Sequence, residues 1–419
     1  MFEIQGQSTA VAQLQRVIAS GRLASTWIFA GPAGVGKHLT AVALAKTCLC
    51  DHPQKQSGKP MARTRNSCLP PDFEWTLACG RCDSCRAVDA GSHPDLHLIH
   101  RNLIRYHDHA GNSKASTLGI DVIRGEITGN ASPEHPVDPK LYRRSQRGRG
   151  KWFIIDEADL MEPPAQNALL KALEEPPAQS FLVLVTASPD HLLATIRSRA
   201  QLVRFGALPP EALCPRLLER GLTPGQAKLL ARLSGGSLGV ALRWLDAGHT
   251  AMDEDAPAAP SRRESNRSAP RRPPTAKSTE PGQFAVLGWI DRIALALENL
   301  ALGRGGGTAL AGAIQSCAEQ YAQAELRRDP LASTVVLTRD GVAVMLGFAA
   351  AWLDDRLAAA VAAPIAAPLS PPGQLAPAVV SRCLAICRAA EHQVDMNAHI
   401  GLALASAGAG LEQAIRRGS

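Results

Sequence analysis

Two stretches of this 419-residue chain bring together residue types that could do chemistry: GPAGVGKHLT, Gly31 to Thr40, and CGRCDSC, Cys79 to Cys85. The first follows the pattern G-x-x-x-x-G-K-[ST] through Gly31, Gly36 and Lys37, and then offers His38 where a hydroxyl belongs. A loop of this kind works because successive backbone N–H groups point into one concavity at a helix N-terminus, and residues bulkier than glycine would block it. Gly31, Gly34 and Gly36 meet that need, and Lys37 supplies charge for the outer phosphates of a nucleotide such as ATP. The absent hydroxyl is the one that normally holds Mg²⁺. Imidazole is a poor ligand for that hard ion, and Thr40 would project to another side of a helix. Two readings therefore stand side by side: a working nucleotide site, or a retired fold that keeps its glycine turn.

Asp156 and Glu157 close the apolar run KWFII as an hhhhDE box. In such sites the aspartate organises the metal and the glutamate positions or activates water. Loop and acid box together indicate a P-loop NTPase fold, without establishing turnover. Cys79, Cys82 and Cys85 have the spacing C-x-x-C-x-x-C, which converges on one tetrahedral Zn²⁺ once a fourth ligand is found. Cys50, which closes the helix after the loop, is our choice of fourth ligand; Cys48, Cys68 and His93 are alternatives. Such a zinc would be structural, all four positions being filled by protein. A redox C-x-x-C and an iron–sulfur cluster are rival uses of the same cysteines. Cys214, Cys317, Cys383 and Cys387 read as ordinary buried small residues.

These residues need a frame. TWIFA leads into the glycine loop as a strand, and Leu39, Val42, Ala43 and Ala45 give the following helix its apolar positions. KWFII is a second strand, and Phe181 to Ser188 a third. Between them Pro164 to Glu175 is helical, with Ala165, Ala168, Leu169, Ala172 and Leu173 on one face. Strands alternating with helices indicate a parallel sheet. Stretches at roughly 51–78 and 130–150 read as polar insertions, the second a solvated loop with Arg143, Arg144, Arg147 and Arg149. Residues 251–283, rich in Pro, Ser and Arg, read as a flexible linker, and everything beyond as helical. With 45% apolar residues, 4% aromatic and a net charge of +7, the composition suits a largely helical soluble protein and gives no strong reason to expect a polyanionic partner. No charge-free run of about 18 apolar residues occurs and the N-terminus lacks a secretory layout, so a cytoplasmic, membrane-free protein with reduced thiols is expected.

Taken in order, Cys50, CGRCDSC, AGSHPDLHLI, TLGIDVIR and DEADLMEPPAQNALLKALEEPPAQSFLVLVTASPDHLLATIRSRAQLVRF resemble the bacterial DNA polymerase III clamp loader subunits. NALLKALEEPP is the most specific part. The match is close over about residues 1–247 and loose beyond, where VDMNAHIGLALA is similar to the family's last collar helix. The resemblance implies an AAA+ P-loop domain at 1–205 with a zinc module at about 48–93. It further implies a helical lid at 206–250, the linker at 251–283, and a helical collar at 284–419 that assembles with other subunits.

The family holds an ATP-hydrolysing gamma/tau motor and a delta prime branch. The motor has Thr after the loop lysine and Arg in a GSLR-type sensor, whereas this chain has His38 and Gly239. Both differences point to the delta prime branch. The family's SRC motif maps to Ser198 and Arg199, with Ala200 in place of Cys, and implies that Arg199 acts in trans on a neighbour's γ-phosphate. Thr186 falls at the family's first sensor, and Arg124 at a structural or DNA-facing position. The implied partners are gamma/tau and delta subunits, and through them the sliding clamp and primed DNA. A motor-type ATPase that tolerates His38, and a zinc-stabilised nucleic-acid-binding protein, are the rival readings; no aromatic stacking platform accompanies the arginines of the second.

Overall fold

The computed structural model describes residues 6–57, 74–106, 117–129, 139–249, 285–328, 332–362, 375–396 and 398–417. The 251–283 linker expectation and Cys68 lie outside them. The chain divides into two compact units, one of Met1–Leu217 with Ala227–Ala241, the other of Leu218–Gln226 with Leu242–Ser419.

In the first unit α1 (Ser8–Ser20) leads to β1 (Thr26–Ala30), and α2 (Lys37–Leu49) follows the glycine loop. β2 (Gln54–Ser57) and β3 (Glu74–Leu77) pair antiparallel, and α3 (Asp83–Asp89) comes next. There follow β4 (Leu96–Ile99), the short α4 (Ile120–Ile123), β5 (Lys151–Ile155) and α5 (Pro163–Glu174). β6 (Ser180–Thr186), α6 (Ala194–Arg197) and β7 (Gln201–Arg204) complete the sheet layer. The five-stranded sheet runs β4-β5-β6-β1-β7, and every pairing in it is parallel. This is the parallel α/β layout expected.

The central strands are apolar throughout because parallel strands are covered on both faces. Alternation along them divides the core. Ile28, Phe153, Ile155, Leu182 and Leu184 pack on one side with Ile123, Ala165 and Leu169. Trp27, Phe29, Trp152, Ile154, Val183 and Val185 pack on the other with Leu14, Leu44 and Leu49. One expectation fails in α2. Its buried face is Ala41, Leu44, Ala45 and Leu49, whereas Leu39 is 67% exposed. The burial of Lys37 and Thr40 fixes the rotation of the helix, and Leu39 then falls on the outer side.

After the sheet come α7 (Pro210–Leu218), α8 (Pro224–Leu233) and α9 (Leu238–His249). The second unit continues with α10 (Ala285–Ala301), α11 (Gly307–Arg328), α12 (Thr334–Ala362), α13 (Pro377–Asp395) and α14 (Ile400–Arg416). Every secondary-structure element among its described residues is a helix. Thr334–Ala358 in α12 is long and apolar enough to cross a membrane by length and composition. The charge-free criterion passed over it because Arg339, Asp340, Asp354, Asp355 and Arg356 interrupt the run. In this fold α12 packs against α11 and α13.

Candidate functional site

The glycine loop joins the end of β1, a central strand, to the N-terminus of α2, so its position is fixed by the core of the first unit. Gly34 has φ +72° and Gly36 φ +100°, conformations that a Cβ would strain. At Gly34 a side chain would also overlap Ser237 Oγ. Lys37 is buried, and its Nζ donates to the carbonyls of Gly31 and Pro32, both at 2.6 Å. Burial of the ammonium pulls its pKa below the ordinary lysine value, against the opposing pull of Asp156 and Asp159.

The start of α9 closes onto this loop. Gly239 N donates to Gly34 O at 2.9 Å, and Ser237 Oγ donates to Ala33 O at 2.7 Å. A Cβ on residue 239 would stand 2.9 Å from Gly34 Cα. Gly239 is thus a position where the backbone itself occupies the space a side chain would need. Ser237 had no sequence signal beyond its place beside that glycine.

On the acidic side, His38 Nδ1 lies 3.0 Å from Asp156 Oδ2, a close contact that falls short of an aligned hydrogen bond. Asp156 Oδ1 accepts from Glu157 N at 3.0 Å. Burial opposes ionisation of Asp156, but His38, the Glu157 N–H and Lys37 outweigh it and hold the carboxyl below its ordinary pKa. Glu157 has φ +51°, a left-handed conformation rare outside glycine, and its carboxylate pairs with Arg101 Nε at 3.1 Å. Arg101, in the turn after β4, carried no sequence signal; only the adjacency of β4 and β5 brings it there. Thr186, at the end of β6 and paired with Ala30, is buried, and its Oγ1 accepts from Ser188 N at 3.0 Å. Thr40 Oγ1 turns back to Gly36 O at 2.8 Å and serves the helix, not the loop mouth. A hard cation wants oxygen ligands, and the imidazole of His38 offers none where the loop pattern would place a hydroxyl.

The cysteine cluster is assembled from the end of α2 and the loop into α3. Sγ atoms of Cys50, Cys79, Cys82 and Cys85 all lie within 4.8 Å of one another. Cys50 and Cys82 are 3.9 Å apart and Cys79 and Cys85 4.0 Å. A tetrahedron of thiolates on zinc, with Zn–S near 2.3 Å, has edges of about 3.8 Å. The donor set therefore fits a metal such as zinc. Backbone N–H groups of Cys79, Cys82 and Cys85 point at the sulfurs of Cys50, Cys79 and Cys82, at 3.2–3.4 Å, and stabilise negative charge there. Cys48 and His93 stand outside this group among the described residues. Burial pushes the Cys48 thiol up to about 12, and His93 Nδ1 accepts from Asp95 N at 3.1 Å.

The arginine loop is anchored to this module. Arg147 Nη1 donates to Ser84 Oγ at 3.3 Å, Arg149 Nη2 to Asp51 O at 2.9 Å, and the Gln146 and Arg147 N–H groups to the Asp95 carboxylate at 2.8 Å. Arg147 and Arg149 thus hold structure together while staying exposed, so the loop is solvated, as read, and anchored as well. Arg124 is exposed at the end of α4. Of the four later cysteines, Cys317, Cys383 and Cys387 are buried and Cys214 is half-buried.

Arg199 follows α6 and is exposed. Its Nη2 lies 3.1 Å from Glu174 Oε1, and its Nη1 donates to Thr195 O at 3.1 Å. Glu174, the last residue of α5, holds the guanidinium from the NALLKALEEPP segment; nothing local in the sequence announced that pairing.

Residues 6–209 match the family model described as "DNA polymerase III, delta subunit". The chain is 35% identical over 211 residues to the DNA polymerase III subunit delta' of Escherichia coli (strain K12), covering 50% of this chain and 51% of that one. To the subunit delta' of Bacillus subtilis (strain 168) it is 29% identical over 228 residues, covering 54% and 56%. To the subunit gamma/tau of Mycobacterium tuberculosis (strain ATCC 25618 / H37Rv) it is 29% identical over 250 residues, covering 58% of this chain and 36% of the relative. The chain spans about half the length of the delta' relatives it matches. Over residues 6–209, then, this chain is similar to the bacterial clamp-loader-related subunits of DNA polymerase III.

Proposed function

We propose that the chain is a delta prime subunit of a DNA polymerase III clamp loader, a cytoplasmic protein whose work is electrostatic and mechanical. It would assemble with gamma/tau and delta subunits and, through that assembly, help place the sliding clamp on primed DNA. The observation that carries this reading is a division of labour among its residues. The chain's own loop departs from the motor pattern at His38 and Gly239, while Arg199 stands exposed beside Glu174 at the end of α5. Arg199 would meet the γ-phosphate of ATP held by a neighbouring motor subunit, where a guanidinium stabilises charge that develops in the transition state. Gly31, Gly34, Gly36, Lys37 and Thr186, with Asp156 and Glu157, would then keep the shape of a nucleotide fold without its turnover.

Cys50, Cys79, Cys82 and Cys85 would hold a structural zinc, which supplies folding free energy and no reaction chemistry. Residues 206–250 would serve as the lid and 284–419 as the collar through which the subunits join. Two measurements test the reading. The purified chain should co-purify with a gamma/tau-type motor subunit, and alone it should hydrolyse no ATP. Turnover by the isolated chain at a motor's rate, abolished by Lys37→Ala, would replace this proposal with the motor reading.

A further inference from the structure

The two ends of α3 are held to α2 in different ways. At the C-terminal end, Val88 enters the core shared with Leu44 and Leu49, and Asp89 pairs with Lys46. At the N-terminal end sulfur does the joining. Cys82 Sγ caps α3 by accepting from Cys85 N, and Cys50, just past α2, lies 3.9 Å from Cys82. With seven residues, about two turns, α3 is too short to keep its own shape. The order of its first turn therefore depends on what the sulfurs hold.

Ser84 is buried in that first turn, between Cys82 and Cys85, and Asp51 directly follows Cys50. The Asp51 carboxylate accepts from Ser84 Oγ at 3.0 Å and from Ser84 N at 3.4 Å. These same two residues receive the arginine loop, Ser84 Oγ accepting from Arg147 and Asp51 O from Arg149. The loop has a second anchor in Asp95, 1% exposed, which accepts from Ser145 Oγ at 3.0 Å and from the Gln146 and Arg147 N–H groups. That anchor involves no cysteine. From this we infer that the cysteine module and residues 145–149 form a zinc-dependent clasp. Metal at the four cysteines fixes Asp51 and Ser84, and these hold the guanidiniums of Arg147 and Arg149. Loss of the metal frees both arginines, while Asp95 still holds the backbone of residues 146 and 147. The clasp ties the end of α2 to the start of β5, two elements whose other ends carry the glycine loop and the acid pair. The inference rests on the zinc reading of the cysteines and gives that metal a task outside its own module.

Linkage makes the test reciprocal: if zinc holds the loop, the loop must hold zinc by a comparable factor. Trypsin draws an arginine side chain into its own pocket before cutting after it, so it reads whether Arg147 and Arg149 are held. Initial cleavage of the full chain is followed by mass spectrometry, zinc-loaded and zinc-stripped, with metal analysis of each sample. Stripping should speed cleavage after Arg147 and Arg149 about tenfold, the lower range for partners of metal ligands, and leave Arg197 in α6 unchanged. Ser84→Ala, which keeps all four cysteines, should speed cleavage after Arg147 with zinc still bound. Competition with a chelator should show zinc held about tenfold more weakly in Arg147→Ala/Arg149→Ala and unchanged in Arg144→Ala. Equal cleavage with and without zinc, or an unchanged zinc affinity in the double variant, overturns the clasp and leaves the zinc reading intact. Should stripping melt the unit, seen as a parallel rise after Arg197, the affinity comparison decides. A chain that binds no zinc overturns the clasp and the zinc reading together.

Discussion

Replacing Gly239 by alanine should destabilise the first unit even though alanine is the better helix former. The added Cβ would stand 2.9 Å from Gly34 Cα, 2.9 Å from Gly34 O and 3.3 Å from Gly34 C. Ordinary carbon contacts lie at about 3.5–4.0 Å, so the start of α9 must move off the loop by roughly half an ångström or more. All the atoms met are backbone, so no side chain can rotate away. Overpacking of this kind costs about 1–3 kcal/mol. The displacement also stretches the Gly239 N to Gly34 O hydrogen bond, now 2.9 Å, whose net worth is about 1 kcal/mol. Against this stands a helix-propensity gain of at most about 1 kcal/mol, less in a first turn. The net expectation is a loss of about 1–3 kcal/mol, or a midpoint lowered by about 2–12 °C for a unit of this size. Calorimetry of the full chain should find the unit carrying the sheet melting earlier, with faster hydrogen exchange at the amides of residues 34–37. An unchanged or raised midpoint with undisturbed exchange would refute the view that this glycine is fixed by contact with the loop.

Metal analysis of the full chain should find one zinc, released by serine at Cys50, Cys79, Cys82 or Cys85 and retained in Cys48→Ser; zinc retained by Cys50→Ser would move the fourth ligand elsewhere. His97, stacked 4.6 Å from Phe153, has its pKa brought down to about 4 by burial and then by Lys140. The unfolded chain therefore takes up a proton near the ordinary histidine value while the folded chain does not. Stability present above about pH 6.5 should fall as pH drops toward 4, by up to about 3 kcal/mol before solvent screening reduces it. His97→Phe should flatten that part of the stability curve, and an identical acid slope in the variant would exclude His97 as its source.

The three central strands were legible because each is a short apolar run buried on both faces: β1, β5 and β6 fall where TWIFA, KWFII and FLVLV stand. The edges were not. LHLI of β4 hides a histidine in the pattern, and QLVR of β7 alternates over only four residues, too few to establish a period. The cysteine spacing carried its own geometry, and the end of α2 brought Cys50 to the other three sulfurs. What the sequence could not supply were the long-range partners. Arg101 on Glu157, Glu174 on Arg199 and Ser237 on Ala33 join residues 56, 25 and 204 positions apart by numbering, and each depends on which strands and helices become neighbours.

Arg199→Ala in a reconstituted loader tests the central claim most directly. The pair with Glu174 is exposed, and such pairs contribute only about 0.2–1 kcal/mol, so the variant should fold and assemble. At the one ATP site it serves, loss of the guanidinium should slow hydrolysis about 10³-fold or more. Clamp- and DNA-stimulated ATPase of the whole complex should therefore fall in part, the remaining sites turning over, and Arg199→Lys should not restore it because lysine lacks the planar fork. An unchanged rate, with assembly and clamp loading also unchanged, would contradict the account and leave the chain no part in its neighbour's hydrolysis.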